Sequence, residues 1–247
     1  FIPGGIQLQQ ANHITFQGVT VRHMGGTGIE FKHSTHDNVI NGSTFNDIAN
    51  NGVLIYSNTA ADASNQVVDE ALTSHDELIS NNFFEHIGQI YTGSHGIIAT
   101  YTSRTIIEHN EFVHLPYNAI SVGWGWTDLE TSLRDNRIQY NLIHDVMQLH
   151  DDSAGIYTLS YQPGTTITEN WVHDIKRSEW AEQFGIGGIY LDEGSRSIRV
   201  ERNVLMNVPE MIHLNTLREN QLIDNYHQYD WVKSFAGIQP YLKAKTY

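Results

Sequence analysis

Two consecutive segments of this chain, residues 156–175 and 189–208, are copies of one unit set 33 positions apart. Each copy opens with Ile-Tyr, runs through a second short apolar segment to an Asn (Asn170 or Asn203), and ends in a third apolar segment. A unit of this size cannot bury its apolar residues alone, so it has to stack on its neighbours. The repeat therefore predicts a solenoid in which each copy forms one coil.

The same register extends over most of the sequence. Apolar residues open eight coils, at Ile6, Ile29, Val53, Ile97, Ile120, Ile156, Ile189 and Ile212. A second column follows in each coil, at Val19, Ser43, Asn82, Asn110, Asn141, Asn170, Asn203 and Asn225. Four of the seven steps between coil openings are 23 or 24 residues long, and the other three are lengthened by inserted loops.

Alternation of apolar and polar residues within each coil indicates strands, and a coil of about 23 residues has no room for an ordinary helix. We therefore predict an all-β fold, a right-handed parallel β-helix of about eight coils with three short sheets. Stacked Asn side chains would hydrogen-bond from coil to coil. The alternative, a two-sheet sandwich, requires Asn-Gly hairpins. Asn-Gly pairs occur at positions 41–42 and 51–52, but they do not recur at hairpin spacing along the chain.

The inserted loops indicate which face is functional. The extra residues follow Val53 and Ile120, and they precede Ile97, Ile156 and Ile189. All of these places flank the first sheet of the middle coils. Long loops on a rigid scaffold commonly form a binding cleft. We therefore predict a cleft over the outer face of this sheet.

Strand alternation predicts which side chains line that cleft. The predicted outward-facing residues of the later coils, together with the tryptophans of the loop after Ile120, are Tyr157, Tyr190, Asp192, His213, Asn215, Trp124 and Trp126. Aromatic faces beside carboxylates and amides suit a sugar, which offers flat C–H faces for stacking and hydroxyls for hydrogen bonds. We predict that these residues bind an oligo- or polysaccharide.

Two carboxylates are the candidate catalytic residues. Asp192 projects from a strand, and Asp152 lies just before the strand of the preceding coil. Adjacent coils lie ~4.8 Å apart, so the two side chains can flank one glycosidic bond, as glycoside hydrolysis requires. Turn Asp residues also cap backbone N–H groups, and we predict that role for Asp151. Glu193, which begins a turn, is the reserve candidate.

Histidines form two groups in the sequence. His95 and His150 occupy turns that flank the predicted cleft, and His213, one coil after Asp192, is placed to orient or protonate it. A second group recurs at matching coil positions away from the first sheet, at His86, His114, His144 and His173. A stacked polar column is the commoner reason for such a pattern than a metal site. We expect no metal and no cofactor.

Composition excludes several classes of function. The net charge of −14 argues against binding to nucleic acid or to anionic membranes, and more weakly against a polyanionic sugar. The absence of Cys excludes disulfides. No apolar run approaches the ~20 residues of a membrane span. We expect residues 1–247 to form a single β-helix domain that is part of a longer chain, because the sequence begins inside a coil without Met; its oligomeric state is left open.

Three segments, residues 115–126, 152–159 and 188–195, resemble bacterial right-handed β-helix glycoside hydrolases, in particular glycoside hydrolase family 141. The resemblance covers roughly residues 25–208. It implies a carboxylate dyad at Asp152 and Asp192, a longer parent chain and export, hence a secreted or periplasmic protein. The activities described for the family include α-L-fucosidase and xylanase and are diverse, so a fucoside or xylan-type substrate is one option and does not carry over from the resemblance. Ser153 and Ala154 stand where the family would have a Gly-rich pair.

The leading hypothesis is therefore a glycoside hydrolase acting on plant or host glycans. A polysaccharide lyase would need a basic residue at the site, and the predicted cleft is poor in Lys and Arg, with Lys32 at least three coils away. A non-catalytic glycan-binding or adhesin stalk would have uniform coils, whereas these coils are expanded on one face.

Overall fold

The computed structural model describes residues 2–56 and 70–240. Within these ranges the chain winds into a parallel β-helix with two eight-stranded sheets and one seven-stranded sheet. Every strand pairs with its equivalent in the next coil, in parallel. The predicted all-β parallel β-helix is confirmed, and the two-sheet sandwich is excluded.

The first sheet contains the predicted coil openings. Its strands are Ile6–Gln9, Ile29–Lys32, Val53–Tyr56, Ile97–Ala99, Ile120–Val122, Ser153–Thr158, Ile186–Leu191 and Ile212–Leu214. The register aligns the eight predicted opening residues in one column, from Ile6 opposite Ile29 to Ile189 opposite Ile212. The two longest strands adjoin the candidate carboxylates: Ser153–Thr158 directly follows Asp152, and Ile186–Leu191 directly precedes Asp192.

The other two sheets are built from shorter strands. The second sheet consists of Thr15–Gln17, Val39–Asn41, Leu78–Ser80, Ile106–Glu108, Arg137–Gln139, Thr166–Thr168, Arg199–Glu201 and Gln221–Ile223. The third consists of Thr20–Met24, Thr44–Ile48, Phe83–Ile87, Glu111–Val113, Leu142–His144, Trp171–His173 and Val204–Met206. Inward-facing side chains of all three sheets form one apolar core, in which Phe45, Phe84 and Phe112 stack with ring centroids 4.6 and 4.7 Å apart.

The predicted Asn ladder runs along the bend between the second and third sheets. In each coil from Asn82 to Asn203, the backbone N–H and the side-chain amide both donate to Oδ1 of the Asn in the following coil. The Nδ2 group also donates to a backbone carbonyl, for example from Asn141 to Ile107 at 2.9 Å. Every one of these buried amides is therefore satisfied within the stack.

A second ladder, which the sequence did not predict, lies at the bend before the second sheet. Backbone N–H groups there donate to a polar side chain of the following coil, at Asn38, Glu77, Asn136, Thr165 and Asn220. The residue type changes from coil to coil, so no repeated letter marks this ladder in the sequence. Burial raises the pKa of Glu77 to about 7, although hydrogen bonds from Thr35 and Asn38 oppose the shift.

A left-handed residue recurs in every coil at the bend that ends the third sheet, either just inside the end of the strand or directly after it. These residues have φ between 49° and 56° and are His23, Asp47, His86, His114, Asp145, Asp174 and Asn207. Asn, Asp and His are the side chains that tolerate this conformation best. The histidine column predicted at this edge is therefore partly a consequence of backbone geometry.

Little of the described chain is helical. A 3₁₀ turn spans Glu70–Leu72, and one α-helix, Asp230–Phe235, lies near the C-terminus. The segment after this helix folds back along the coils, where the N–H of Gly237 donates to the Tyr140 carbonyl at 2.8 Å. No helix in the described ranges is long and apolar enough to cross a membrane.

The predicted insertions flank the first sheet. They correspond to residues 88–96, 123–133, 145–152 and 176–185, which connect this sheet to its neighbours. The insertion expected after Val53 falls on residues 57–69, outside the described ranges.

Candidate active site

The two candidate carboxylates come from adjacent coils of the first sheet. Asp152 immediately precedes the strand Ser153–Thr158 and is held in a left-handed conformation, with φ of 56°. Asp192 immediately follows the next strand, Ile186–Leu191. The two strands pair in parallel and place Tyr157 opposite Tyr190, between the two carboxylates.

Asp192 is held by two donors. The hydroxyl of Tyr157 donates to Oδ2, and Nδ2 of Asn215 donates to Oδ1 at 2.5 Å. The side chain is 5% exposed. With a donor on each oxygen, this carboxyl group is held as an acceptor in a fixed orientation.

Asp152 has a different environment. Its Oδ1 accepts one hydrogen bond, from the Tyr190 hydroxyl at 3.2 Å, and the residue is otherwise exposed. Desolvation and then the negative charge of Asp192 raise its pKa, and the Tyr190 hydrogen bond and the charge of His213 only partly oppose this. The raised pKa makes Asp152 the candidate proton donor of the site.

Three tyrosines connect the carboxylates. The rings of Tyr157 and Tyr190 meet edge to face, with centroids 5.3 Å apart. The hydroxyl of Tyr117 donates to the backbone carbonyl of Asp152 at 3.2 Å. Burial is the largest cause of a raised pKa at all three tyrosines, and it brings Tyr117 to about 12. All three hydroxyls therefore remain protonated donors around neutral pH.

His95 and His150 reach the site through Tyr117. The Tyr117 ring lies 5.5 Å from the His95 ring and 5.6 Å from the His150 ring. His95 shares a short hydrogen bond with Asn118, and burial lowers the pKa of His95 to about 4 although that bond opposes the shift. His150 is hydrogen-bonded to Thr92 at 2.9 Å, so both histidines are held against the tyrosine whose hydroxyl contacts Asp152.

His213 does not do what the sequence predicted. Its Nδ1 lies 2.6 Å from Oε2 of Glu210. Its ring meets the Tyr190 ring edge to face, with the centroids 4.3 Å apart. The hydrogen bond that orients Asp192 comes instead from Asn215. Strand alternation had placed Asn215 in the same outward column as Asp192, and the register of the two strands puts these two residues level with each other.

The tryptophan loop and Glu193 lie at the Asp192 end of the sheet. The rings of Trp124 and Trp126 meet edge to face with their centroids 4.8 Å apart, and Trp126 is 42% exposed. The loop is fixed by a hydrogen bond from the N–H of Thr127 to Oγ of Ser160. Thr127 also packs closely on Gly194, where a Cβ would lie 2.6 Å from the Thr127 carbonyl oxygen. Glu193 itself is exposed, next to this contact.

The chain matches a family model described as a right handed beta helix region over residues 4–239. It belongs to the right-handed β-helix family. One solved structure, described as "Glycoside hydrolase", matches with a TM-score of 0.90 and 30% sequence identity. That match covers 98% of this chain and 41% of the other, so this β-helix spans about two-fifths of that protein's length. No curated protein matches the chain.

Two further observations concern the turn of this β-helix that carries Asp152. Asp151 accepts the backbone N–H of Phe184 at 3.2 Å, so its predicted capping role is confirmed. Asp151 also contacts Arg177 at 3.4 Å, a cation that the prediction of a cleft poor in Lys and Arg missed. Two bonds from this guanidinium to the carbonyls of Glu182 and Phe184 fix the loop beside Asp152.

Ser153 and Ala154, the departure from the family pattern, belong to the strand. They pair with Ile186 and Gly187 of the next coil. Oγ of Ser153 also accepts a hydrogen bond from Nδ2 of Asn118 at 2.9 Å. Asp152 is therefore fixed at the strand end by its neighbours.

Sequence reasoning did not single out Tyr117, Asn118, Arg177 or Glu210 as site residues. Tyr117 and Asn118 occupy the turn before a first-sheet strand, as do His95, His150 and Asp152. That shared turn position is the signal that would have found them. Arg177 has no equivalent in the other coils, so no periodic signal marks it.

Tyr190 is correctly predicted to point away from the core, but it is only 2% exposed. Tyr157 and His213 both pack against its ring. Tyr190 therefore contributes the hydrogen bond that its hydroxyl donates to Asp152. The exposed aromatic ring is that of Trp126.

Proposed function

We propose that this β-helix is a glycoside hydrolase that uses Asp152 and Asp192. The observation that carries the proposal is the arrangement of two carboxyl groups, from adjacent coils, around one tyrosine pair that donates a hydrogen bond to each. Unlike the buried Glu77 of the second ladder, Asp152 is exposed, and a neighbouring carboxyl group, Asp192, helps to raise its pKa. The similarity to a solved structure described as "Glycoside hydrolase" supports the same reaction class.

In this proposal Asp152 is the general acid. Its raised pKa favours the protonated form, which transfers its proton to the glycosidic oxygen as the bond to the anomeric carbon breaks. Asp192, ionised and oriented by Tyr157 and Asn215, either attacks the anomeric carbon or removes a proton from the attacking water. The released sugar gains the elements of water in both cases.

The substrate is proposed to be a neutral or weakly charged glycan. Trp124 and Trp126 offer an aromatic surface near Asp192, and the net charge of −14 disfavours strongly anionic chains. Membership of family 141, a fucoside or xylan-type substrate, a secreted or periplasmic location and a longer parent chain remain predictions.

The test is hydrolysis of a panel of aryl α- and β-glycosides, xylan and fucosylated oligosaccharides. We expect wild-type turnover on at least one member, and a loss of at least about 10²-fold in Asp152→Asn and in Asp192→Asn. Asp135→Asn is a matched control, because Asp135 is exposed and has φ of 55°, close to that of Asp152.

Wild-type activity that survives both substitutions would reject the dyad. Products with a double bond, detected by near-ultraviolet absorbance, would replace the hydrolase by a lyase. A folded, monodisperse protein that binds glycans without cleaving any of them would support a binding role instead.

A further inference from the structure

A second cluster of ionisable side chains, which could act as metal ligands, lies at the bend that ends the third sheet. Its members are Glu85, His86 and His114, and the two histidines occupy the left-handed position of successive coils. Their imidazoles stack with centroids 5.4 Å apart and planes inclined by 16°. Because both backbones have the same conformation, the two side chains project in parallel from one edge.

Glu85 lies against both histidines. Its Oε1 is 3.4 Å from Nδ1 of His114, and its Oε2 is 3.8 Å from Nδ1 of His86. One ligand atom from each of the three side chains can be chosen so that all lie within 4.8 Å of one another. Ligands bound to one metal ion at ~2.0–2.2 Å lie closer together than this, so the three side chains have to approach one another to coordinate an ion.

The surroundings suit a coordinated ion. Nδ2 of Asn46 donates to Oε2 of Glu85 at 3.0 Å, which orients the carboxylate as outer hydrogen bonds do in metal sites. A cavity of about 340 Å³ opens beside the two imidazoles and is lined by Gln89, Thr92 and Gln148 among others. It leaves room for water to complete the coordination shell.

We propose that Glu85, His86 and His114 bind one divalent transition-metal ion of the zinc type, which revises the expectation from the sequence that this histidine column holds no metal. Two imidazole nitrogens and one carboxylate oxygen form a donor set that Zn²⁺ uses when it keeps an open position for water. The site belongs to the third bend and is distinct from the Asp152–Asp192 pair on the first sheet. It does not depend on the proposed hydrolase activity.

The same bend provides an internal comparison. His23 and Asp47 occupy the equivalent left-handed positions in two earlier coils, and Nδ1 of His23 lies 2.6 Å from Oδ2 of Asp47. That pair supplies one imidazole and one carboxylate. The left-handed geometry alone therefore produces a His–carboxylate contact, and the second imidazole is the feature specific to the Glu85 cluster.

Isothermal titration calorimetry with ZnCl₂ tests the site, with MgCl₂ as the hard-cation comparison. We expect one Zn²⁺ per chain, no comparable binding of Mg²⁺, and at least about tenfold weaker Zn²⁺ binding in His86→Asn and in His114→Asn. Asn tolerates the left-handed backbone, so circular dichroism should show that both variants fold. His23→Asn, with the same change at the same bend position, should bind Zn²⁺ like the wild type.

Binding of Zn²⁺ should also raise the melting temperature of the wild type, and the increase should be lost in His86→Asn and His114→Asn. Equal Zn²⁺ affinity in the wild type and both variants would overturn the proposal. So would the absence of stoichiometric Zn²⁺ binding, equal binding of Mg²⁺, or an equal loss in His23→Asn.

Discussion

Two stacks of polar side chains run along the coils, and they differ in how their hydrogen bonds are balanced. In the Asn ladder each side chain accepts from one coil and donates to others, so donors and acceptors match at every step. In the Tyr–Asp cluster of the first sheet, Tyr157 and Tyr190 donate to two acidic groups whose charges oppose each other.

The ladder is uniform because its only requirement is the same at every coil. The cluster departs from the repeat at Asp192, which stands where the preceding coil has Leu159, and the charge of Asp192 helps to raise the pKa of Asp152. Of these two stacks, the uniform Asn column stabilises the coils, and the departure from the repeat at Asp192 marks the candidate site.

Removal of one ladder residue should have the largest effect on stability. Asn141→Ala leaves the N–H and amide of Asn110 and the Ile107 carbonyl without their partner in a buried stack. We expect the free energy of unfolding, measured by urea denaturation, to fall by about 3 kcal/mol or more. Asn12→Ala, at an exposed Asn, should cost less than about 1 kcal/mol; equal losses would contradict the role of the ladder.

The second ladder should make stability depend on pH. The pKa of Glu77 rises from 4.5 to about 7 on folding, so the folded protein keeps this proton to a higher pH than the unfolded chain. The free energy of unfolding therefore falls as the pH rises between these values, by about 3 kcal/mol.

Glu77→Gln should remove this dependence. Relative to the wild type, the variant should gain about 3 kcal/mol between pH 4 and pH 8 in urea denaturation. A difference between the two proteins that is the same at both pH values would show that Glu77 keeps its ordinary pKa in the folded state.

The cluster should respond to substitution in the opposite way to the ladder. Asp192→Asn preserves the size of the side chain and removes the charge that opposes Asp152, and Asn215 is exposed and free to reorient. We expect the free energy of unfolding to change by less than about 1 kcal/mol while glycoside hydrolysis is lost. A destabilisation as large as that of Asn141→Ala would make Asp192 a structural residue.

The hydroxyl of Tyr157 should have the smallest effect. Tyr157→Phe removes one donor from Asp192 and leaves the Asn215 donor in place. We expect a decrease of about tenfold in kcat/KM, as loss of one hydrogen bond to a charged group implies. Tyr161→Phe, outside the cluster, should retain wild-type kinetics; a similar loss in both variants would remove Tyr157 from the site.

The sequence predicted the register of the fold because its signal is periodic. The eight coil openings and the Asn ladder recur with matching chemistry, and each coil supports the next. The second ladder was missed because Asn38, Glu77 and Thr165 fill the same position with different residues.

The site was predicted in outline. Outward parity and coil adjacency located Asp152, Asp192 and the tyrosines, because strands impose direction. Turns and loops do not fix the direction of a side chain in this way. The positions of Tyr117 and Arg177 depend on contacts between loops, which no spacing in the sequence encodes.

The most direct test of the account is the pKa of Asp152, measured by NMR titration of carboxyl-labelled aspartate in the wild type, Asp192→Asn and Asp135→Asn. We expect the pKa of Asp152 to lie above the ordinary value of 3.8 in the wild type. It should be lower in Asp192→Asn, because the neighbouring negative charge is removed, and unchanged in Asp135→Asn. A wild-type pKa at or below 3.8, or one that Asp192→Asn leaves unchanged, would contradict the claim that the two carboxyl groups form a catalytic pair.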